Sequence, residues 1–247
     1  MNILLCNDDG IESNGLKILA EKLAAHNNVL VVAPDGNRSA TSHSLTLFKP
    51  VKIHEYNQLK CCRAYSISGT PADCVKITFH LFKDFIPDIV VAGINKGHNL
   101  GSDILYSGTV SAAFEAAFFG KPAFAFSAFS HGESNFELFS DYAVRLIDGL
   151  MPLTDGNIVW NINFPDIGVP VSEIRFCSLG KYVYNDVYIR NDNGDYELVG
   201  SVSEAEDVAE DSDVRLIKKG CITVTPLVYD RTNFKKLREI SEKCIEL

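Results

Sequence analysis

Short continuous apolar runs alternate with longer stretches of helical spacing along the first two thirds of this chain. Residues 3–6, 29–33, 89–92, 122–127 and 158–162 are apolar at nearly every position, the pattern of strands buried on both faces. Between them, the spacing predicts helices over 15–25, 74–81, 110–119 and 136–149. The turn Gly69-Thr70-Pro71-Ala72-Asp73 opens the second of these, with proline in the first helical turn. Residues 36–44 are small and polar and read as a loop, 45–56 as strand-like, and 64–67 as a short strand. Strands alternating with helices imply right-handed βαβ units around a mostly parallel sheet, an α/β fold.

The pattern changes after Pro170. Residues 171–189 and 220–228 read as strands, and 191–213 as an acidic, turn-rich loop or hairpin tip in solvent. Residues 234–245 read as a final helix. The organisation expected is a core over 1–170 that holds metal and phosphate. An antiparallel β extension with the final helix follows over 171–247, all in one domain, and such an arm suits contacts between subunits.

Composition narrows the class. The chain has 247 residues, of which 46% are hydrophobic, enough for one large α/β domain. No apolar run approaches the roughly 18 residues of a membrane helix. The first strand begins at the N-terminus with no basic segment before it, so no signal peptide is expected. Seven cysteines lack metal-type spacing, which fits a reduced, cytoplasmic protein with no membrane partner. A net charge of −9 argues against a nucleic-acid polymer as partner, but leaves room for a small phosphate ligand held through a cation.

Candidate chemistry lies in three loops that follow predicted strands. The first is Asn7-Asp8-Asp9-Gly10. Burying ionised carboxylates is costly unless they are paired or bound to metal, and the carboxyl end of a parallel strand is where open α/β sheets hold ligands. The second loop runs from Asp35 to Ser44 and carries Ser39, Ser42 and His43. The third runs from Gly93 to Thr109, rich in glycine and small polar groups, and enters the helix near Val110. Ser107, Gly108 and Thr109 offer hydroxyls, amides and a helix N-terminus to a phosphate. The loop is not a Walker A motif, because the Lys-Ser/Thr ending is absent. A carboxylate pair facing a phosphate needs a cation between them. Asp8, Asp9, the Ser39 hydroxyl and the Asn95 amide oxygen suit one Mg²⁺ or Mn²⁺.

These residues form a recognisable set. It comprises Leu4-Leu5-Cys6-Asn7-Asp8-Asp9-Gly10, Val31-Val32-Ala33-Pro34-Asp35 with Arg38-Ser39, and Gly69-Thr70-Pro71-Ala72-Asp73-Cys74-Val75. It continues through Pro87-Asp88-Ile89-Val90-Val91, Gly93-Ile94-Asn95, Tyr106-Ser107-Gly108-Thr109-Val110, Asn161-Ile162-Asn163-Phe164-Pro165 and Val224-Thr225-Pro226-Leu227. In this order, over residues 1–226, the chain resembles the SurE (survival protein E) family of 5′/3′-nucleotidases. The resemblance implies a Rossmann-like three-layer α/β/α sandwich with a C-terminal antiparallel extension used in homodimers or homotetramers. It implies hydrolysis of nucleoside monophosphates, with one divalent cation held by Asp8, Asp9, Ser39 and Asn95. Many members carry Ser-Gly where this chain has Ser39-Ala40. The added methyl is harmless provided φ at Ala40 is negative.

The expected reaction is in-line attack on phosphorus by metal-activated water. Asp8 and Asp9 are the catalytic pair, and Asn99, Ser107, Gly108 and Thr109 bind the phosphate. His43, His98 or water serves as general acid, with His43 favoured instead as a loop hydrogen-bonder. Lys96 either attracts phosphate or points to solvent, Asp103 orients its loop or caps it, and Tyr106 stacks on a base or packs under the phosphate loop. Thr70 and Asp73 look structural, and Trp160 reads as core. A receiver domain would need a phosphoacceptor aspartate where Asn95 stands, and a haloacid-dehalogenase-like phosphatase would need Asp-x-Asp. Short-chain polyphosphate as substrate and a nucleotide-sensing module without turnover are the alternatives.

Overall fold

The structure is a computed structural model that describes residues 1–129, 135–166, 169–205 and 208–241. Elements run β1 (Asn2–Cys6), α1 (Asn14–Ala24), β2 (Asn28–Pro34), β3 (Ile53–Glu55), β4 (Arg63–Ile67), α2 (Pro71–Leu81) and β5 (Ile89–Lys96). They continue with α3 (Gly108–Phe118), β6 (Ala123–Ala128), α4 (Phe136–Leu150) and β7 (Val159–Phe164). The C-terminal part holds β8 (Ile174–Phe176), β9 (Tyr182–Arg190), β10 (Tyr196–Glu204), α5 (Asp213–Leu216), β11 (Ile222–Leu227) and α6 (Phe234–Ile240).

Among the described residues nine strands form one sheet, ordered β3-β4-β2-β1-β5-β6-β7-β11-β8. The six strands from β4 to β7 in that order are mutually parallel. β3 and β11 run antiparallel to β4 and β7, at and near the two ends of the sheet. One face of the sheet carries α1 and α4, packed through Leu16, Leu19, Phe139 and Ile147 onto Ile3, Leu5 and Phe126. The other carries α2 and α3, packed through Val75, Ala113 and Ala116 onto Leu4, Cys6 and Val90. The alternation of burial along β1 therefore feeds two cores, as a strand with both faces covered requires. The chain winds outward from β1 to β2 and β4, then returns to place β5 on the other side of β1. The switch between these two directions opens a crevice at the carboxyl ends of β1 and β5.

Several elements differ from their expected form. Of residues 45–56 only Ile53–Glu55 is strand. The Thr46 amide donates to Asp73 and the Thr70 hydroxyl to the Ser44 carbonyl. These bonds draw the segment across the start of α2, and Leu47 and Phe48 face solvent. The single strand expected over 171–189 is two, β8 and β9. The loop or hairpin tip expected over 191–213 is a hairpin turn that runs on into a strand, because β10 pairs with β9 in register from Tyr196↔Arg190 to Glu204↔Tyr182. The turn itself is only residues 191–195. The last helix is described to Ile240, and residues 242–245 of that expectation lie outside the described residues.

Candidate active site

β1 delivers its acidic pair to the crevice, where the two neighbouring carboxylates take different partners. Asn7 shapes the turn: its side-chain amide donates to the Gly10 carbonyl (3.0 Å) and the Ser13 hydroxyl (2.7 Å). Asp8 points toward α3 and accepts from the Thr109 hydroxyl at 2.5 Å. Asp9 points toward α1 and accepts from the Lys96 backbone amide at 2.9 Å. Burial raises the Asp8 pKa to about 6, opposed by the Thr109 hydrogen bond and reinforced by the charge on Asp9. Burial also raises Asp9, with the Lys96 amide and ammonium acting the other way.

The N-terminus of α3 closes this side of the crevice. The Ser107 hydroxyl caps the helix by accepting from the Val110 amide at 3.0 Å, which leaves its own proton to donate. A Cβ at Gly108 would lie 2.8 Å from the Asp8 Cβ and 3.1 Å from the Pro71 ring, so only glycine lets the helix end approach the carboxylate this closely. The Thr109 hydroxyl serves Asp8, so the donors left to face a phosphate here are the Ser107 hydroxyl and the first amides of α3.

Asn95 reaches the crevice because β5 breaks register against β6 between Ala92 and Asn95, and a bulge re-aims the side chain that follows it. The Asn95 Nδ2 donates to the Gly97 carbonyl at 2.8 Å, which leaves Oδ1 as an acceptor. Ser39 arrives on the loop after β2, which is tied to β1 where the Arg38 amide donates to the Asp8 carbonyl at 2.7 Å. Its hydroxyl donates to Asn37 Oδ1 at 2.6 Å, so its lone pairs remain available. The proviso on the neighbouring residue fails. Ala40 sits at φ 55° and Ser42 at φ 52°, left-handed conformations that disfavour any side chain.

Asn99 is held by a network of buried polar groups. Its side-chain nitrogen donates to Ser127 Oγ (2.8 Å), its amide to Asn163 Oδ1 (2.8 Å), and its carbonyl accepts from Asn161 and Asn163. It anchors the glycine-rich loop to β6 and β7, with one of its two side-chain amide protons given to Ser127. Asn161 and Asn163 are the site-supporting residues that sequence reasoning did not assign. Their signal is two asparagines at strand period on one face of an otherwise apolar run. Asp213 likewise holds this loop from the C-terminal part, accepting from the Gly101 and Gly180 amides at 2.8 and 2.6 Å.

Neither histidine touches the carboxylate pair. His43 bonds Glu115 at 2.9 Å, and Glu115 also holds the Lys76 ammonium at 2.6 Å. Glu115 stands six residues beyond Thr109, roughly 9 Å along the helix, so His43 is a loop hydrogen-bonder. His98 bonds the Phe164 carbonyl at 2.8 Å, and burial lowers its pKa. Asp103 bonds the Tyr184 hydroxyl, Tyr106 is exposed edge-on to Tyr184, and the Lys96 side chain faces solvent. Thr70 and Asp73 form a reciprocal cap on α2, and Trp160 is buried, both as expected from sequence.

The donor set fits a hard divalent cation. Asp8 is buried, its pKa is raised, and its hydrogen-bond partner is a neutral hydroxyl, the condition of a carboxylate lacking its counter-charge. The nearby donors are oxygens, as Mg²⁺ or Mn²⁺ prefer. Among the described residues no three His, Cys, Asp or Glu side chains cluster as a metal site. Any ion here rests on two carboxylates and neutral oxygens.

Comparison with known proteins agrees with this geometry. The family model "Survival protein SurE" matches residues 3–186. A "5′-nucleotidase SurE" of Clostridium botulinum (strain Loch Maree / Type A3) is 40% identical, covering 98% of this chain and 98% of its own. Another, from Caldanaerobacter subterraneus subsp. tengcongensis, is 37% identical over 100% of this chain and 98% of its own. The crystal structure of the SurE protein from Aquifex aeolicus superimposes with a TM-score of 0.83 at 34% identity, covering 98% of each chain.

Proposed function

The chain belongs to the SurE family and is a 5′-nucleotidase, a phosphomonoesterase, and we propose that it uses one divalent cation at Asp8, Asp9, Ser39 and Asn95. The observation that carries this is the carboxylate pair at the switch point, with Asp8 buried against the neutral Thr109 hydroxyl beside the Ser107-capped N-terminus of α3. When bound, such an ion supplies charge stabilisation to phosphoryl oxygens and a water acidic enough to attack. The chain's own groups do the rest. The Ser107 hydroxyl and the first amides of α3 hold the equatorial oxygens, aided by the helix dipole. Thr109 fixes the Asp8 carboxylate by hydroxyl donation, and the Lys96 amide fixes Asp9. The asparagine network under Asn99 holds the loop in place.

The substrate is a nucleoside monophosphate, and the products are the nucleoside and phosphate. We place the boundary of the C-terminal extension near residue 170 and assign that extension to a homodimer or homotetramer. Free cysteines at six described positions support a reducing, cytoplasmic setting.

The test is phosphate release from nucleoside monophosphates and from short polyphosphate, with Mg²⁺, Mn²⁺ or chelator. Release from the monophosphates that requires metal, and that falls at least a hundredfold in Asp9→Asn, is expected. Release that is indifferent to chelator removes the metal assignment. Release from polyphosphate alone changes the substrate class.

A further inference from the structure

Glu115 is the one acidic side chain of α3, a helix otherwise packed through valine, alanine and phenylalanine. It is 3% exposed and joins two partners from different elements. Oε1 accepts from the Lys76 ammonium of α2 at 2.6 Å, and Oε2 bonds the His43 ring nitrogen Nε2, in the loop after β2, at 2.9 Å. Burial acts to raise its pKa, but these two hydrogen bonds outweigh burial and hold it below the usual carboxylate value. A buried ion pair is often no more stabilising than apolar residues of similar volume, so packing alone does not account for a carboxylate here. We propose that Glu115, acting through His43, is a positioning residue for the cation site: it fixes the loop that carries Ser39 beside Asp8 and so sets how tightly the divalent ion binds. The inference rests on the cation reading of the site and adds what holds one of the proposed ligands in place.

Ser39 is not placed by its own bonds, since its amide and hydroxyl both donate to Asn37 Oδ1 in the same loop. Ties on either side place it instead. Before Ser39 the Arg38 amide donates to the Asp8 carbonyl, and after it the Ser42 amide donates to the Tyr106 carbonyl and His43 meets Glu115. Between these ties Ala40 and Ser42 are left-handed, a backbone state that persists only where the surroundings hold it. His43 is held twice, because its ring also stacks on Phe118, with centroids 5.6 Å apart. Helix α3 thus refers two proposed ligands to one rigid frame. Thr109 in its first turn fixes the Asp8 carboxylate, and Glu115, roughly 9 Å further along, fixes the Ser39 loop. Lys76 holds the second carboxylate oxygen and keeps the first aimed at His43, as outer groups orient a metal ligand.

Mn²⁺ binding to the substrate-free protein is titrated by calorimetry in the wild type, His43→Ala, His43→Leu and His43→Gln. Alanine and leucine both remove the bond to Glu115, and leucine keeps an apolar contact with Phe118 should alanine fail to fold. Glutamine keeps a donor where Nε2 stood. Expected is a dissociation constant raised about tenfold or more by alanine and leucine, and within about threefold of wild type with glutamine. The sign separates position from charge: removing a ring that is neutral or positive does not weaken a cation's binding by electrostatics. In a Ser39→Ala background, where the positioned ligand is gone, His43→Ala is expected to add less than about twofold. Binding unchanged by alanine and leucine, lost equally with glutamine, or weakened as much again in the Ser39→Ala background overturns the positioning role alone. A wild type that binds no Mn²⁺, or that binds it no better than Asp8→Asn does, removes the cation reading itself, and the positioning role falls with it.

Discussion

His98 lies three residues past Asn95 in the glycine-rich loop, where a general acid would be convenient, yet its surroundings favour the neutral ring. Its Nε2 donates to the Phe164 carbonyl, the Phe129 ring lies beside it, and the Asp166 carboxylate is the acidic group nearest, at 3.6 Å. Burial outweighs the Phe164 and Asp166 contributions and lowers its pKa. The sign of the linkage follows. The neutral ring's contribution to stability is complete above the unfolded pKa of about 6.5, and it is lost as pH falls through the lower folded value. His98→Gln retains a donor for Phe164 and cannot titrate. Wild-type stability should therefore fall more steeply than that of His98→Gln between about pH 7.5 and about pH 5. Chemical denaturation of both proteins across that range checks it. Parallel profiles would show that His98 titrates as freely folded as unfolded.

The loop between β2 and β3 carries Ser39 through two left-handed residues, and it is held there by its neighbours. The Ser42 amide donates to the Tyr106 carbonyl, the Thr41 hydroxyl to the Arg38 carbonyl, and His43 is held by Glu115. Removing the Ala40 methyl should relieve strain at φ 55°. Ala40→Gly is expected to stabilise the protein by about 1 kcal/mol, raising Tm by roughly 2–4 °C at this size. Differential scanning calorimetry reads this directly, and a lower Tm would refute it. This loop also marks a limit on what is legible in the sequence. Asp8 and Asp9 could be read because two adjacent carboxylates ending an apolar strand have few structural uses. Thr70-Pro71-Ala72-Asp73 could be read because a reciprocal helix cap is local. The left-handed φ of Ala40 could not, since it is imposed by partners on β1, α3 and the turn before α3. The network that holds Asn99 could not be read for a similar reason: the groups that engage it, Ser127, Asn161 and Asn163, are distant in sequence. β10 is hard to read from sequence because Glu, Gly and Ser interrupt Leu198, Val199 and Val202 within an acidic stretch, and the strand pairs only with β9, outside either core of the main sheet.

At the scale of the whole molecule, β9 and β10 form a two-stranded ribbon that does not join the nine-stranded sheet. Its base is anchored, with Tyr182 against the cluster of Leu100, Val214 and Ile217, and the Tyr184 hydroxyl on Asp103. Beyond the base both faces are apolar and exposed. Val187, Ile189 and Val199 lie on one, and Tyr188, Leu198 and Tyr196 on the other, with Tyr188 at 70% exposure. A lone two-stranded ribbon is marginally stable in water, and an apolar surface on both of its faces calls for a covering partner. We propose that a second copy of the chain is that partner, since each copy would bring the same surface to a symmetric pair. Val187 and Val199 are directly opposed across the ribbon. Val187→Asp with Val199→Lys replaces the apolar pair by an ion pair that keeps the two strands matched. The wild type is expected to sediment as a dimer or tetramer, and the double variant as a monomer at the same micromolar concentration. Assembly that survives the double substitution would place the contact elsewhere on the surface. In such an assembly Asp103 and Asp213 would connect the ribbon to the phosphate loop. Asp103 bonds Tyr184 of the ribbon, and Asp213 links Gly180, just before β9, to the Gly101 amide in the loop that leads to Ser107. Loss of the partner should therefore lower phosphate release from AMP as well as molecular mass, and measuring both on the double variant joins the two effects.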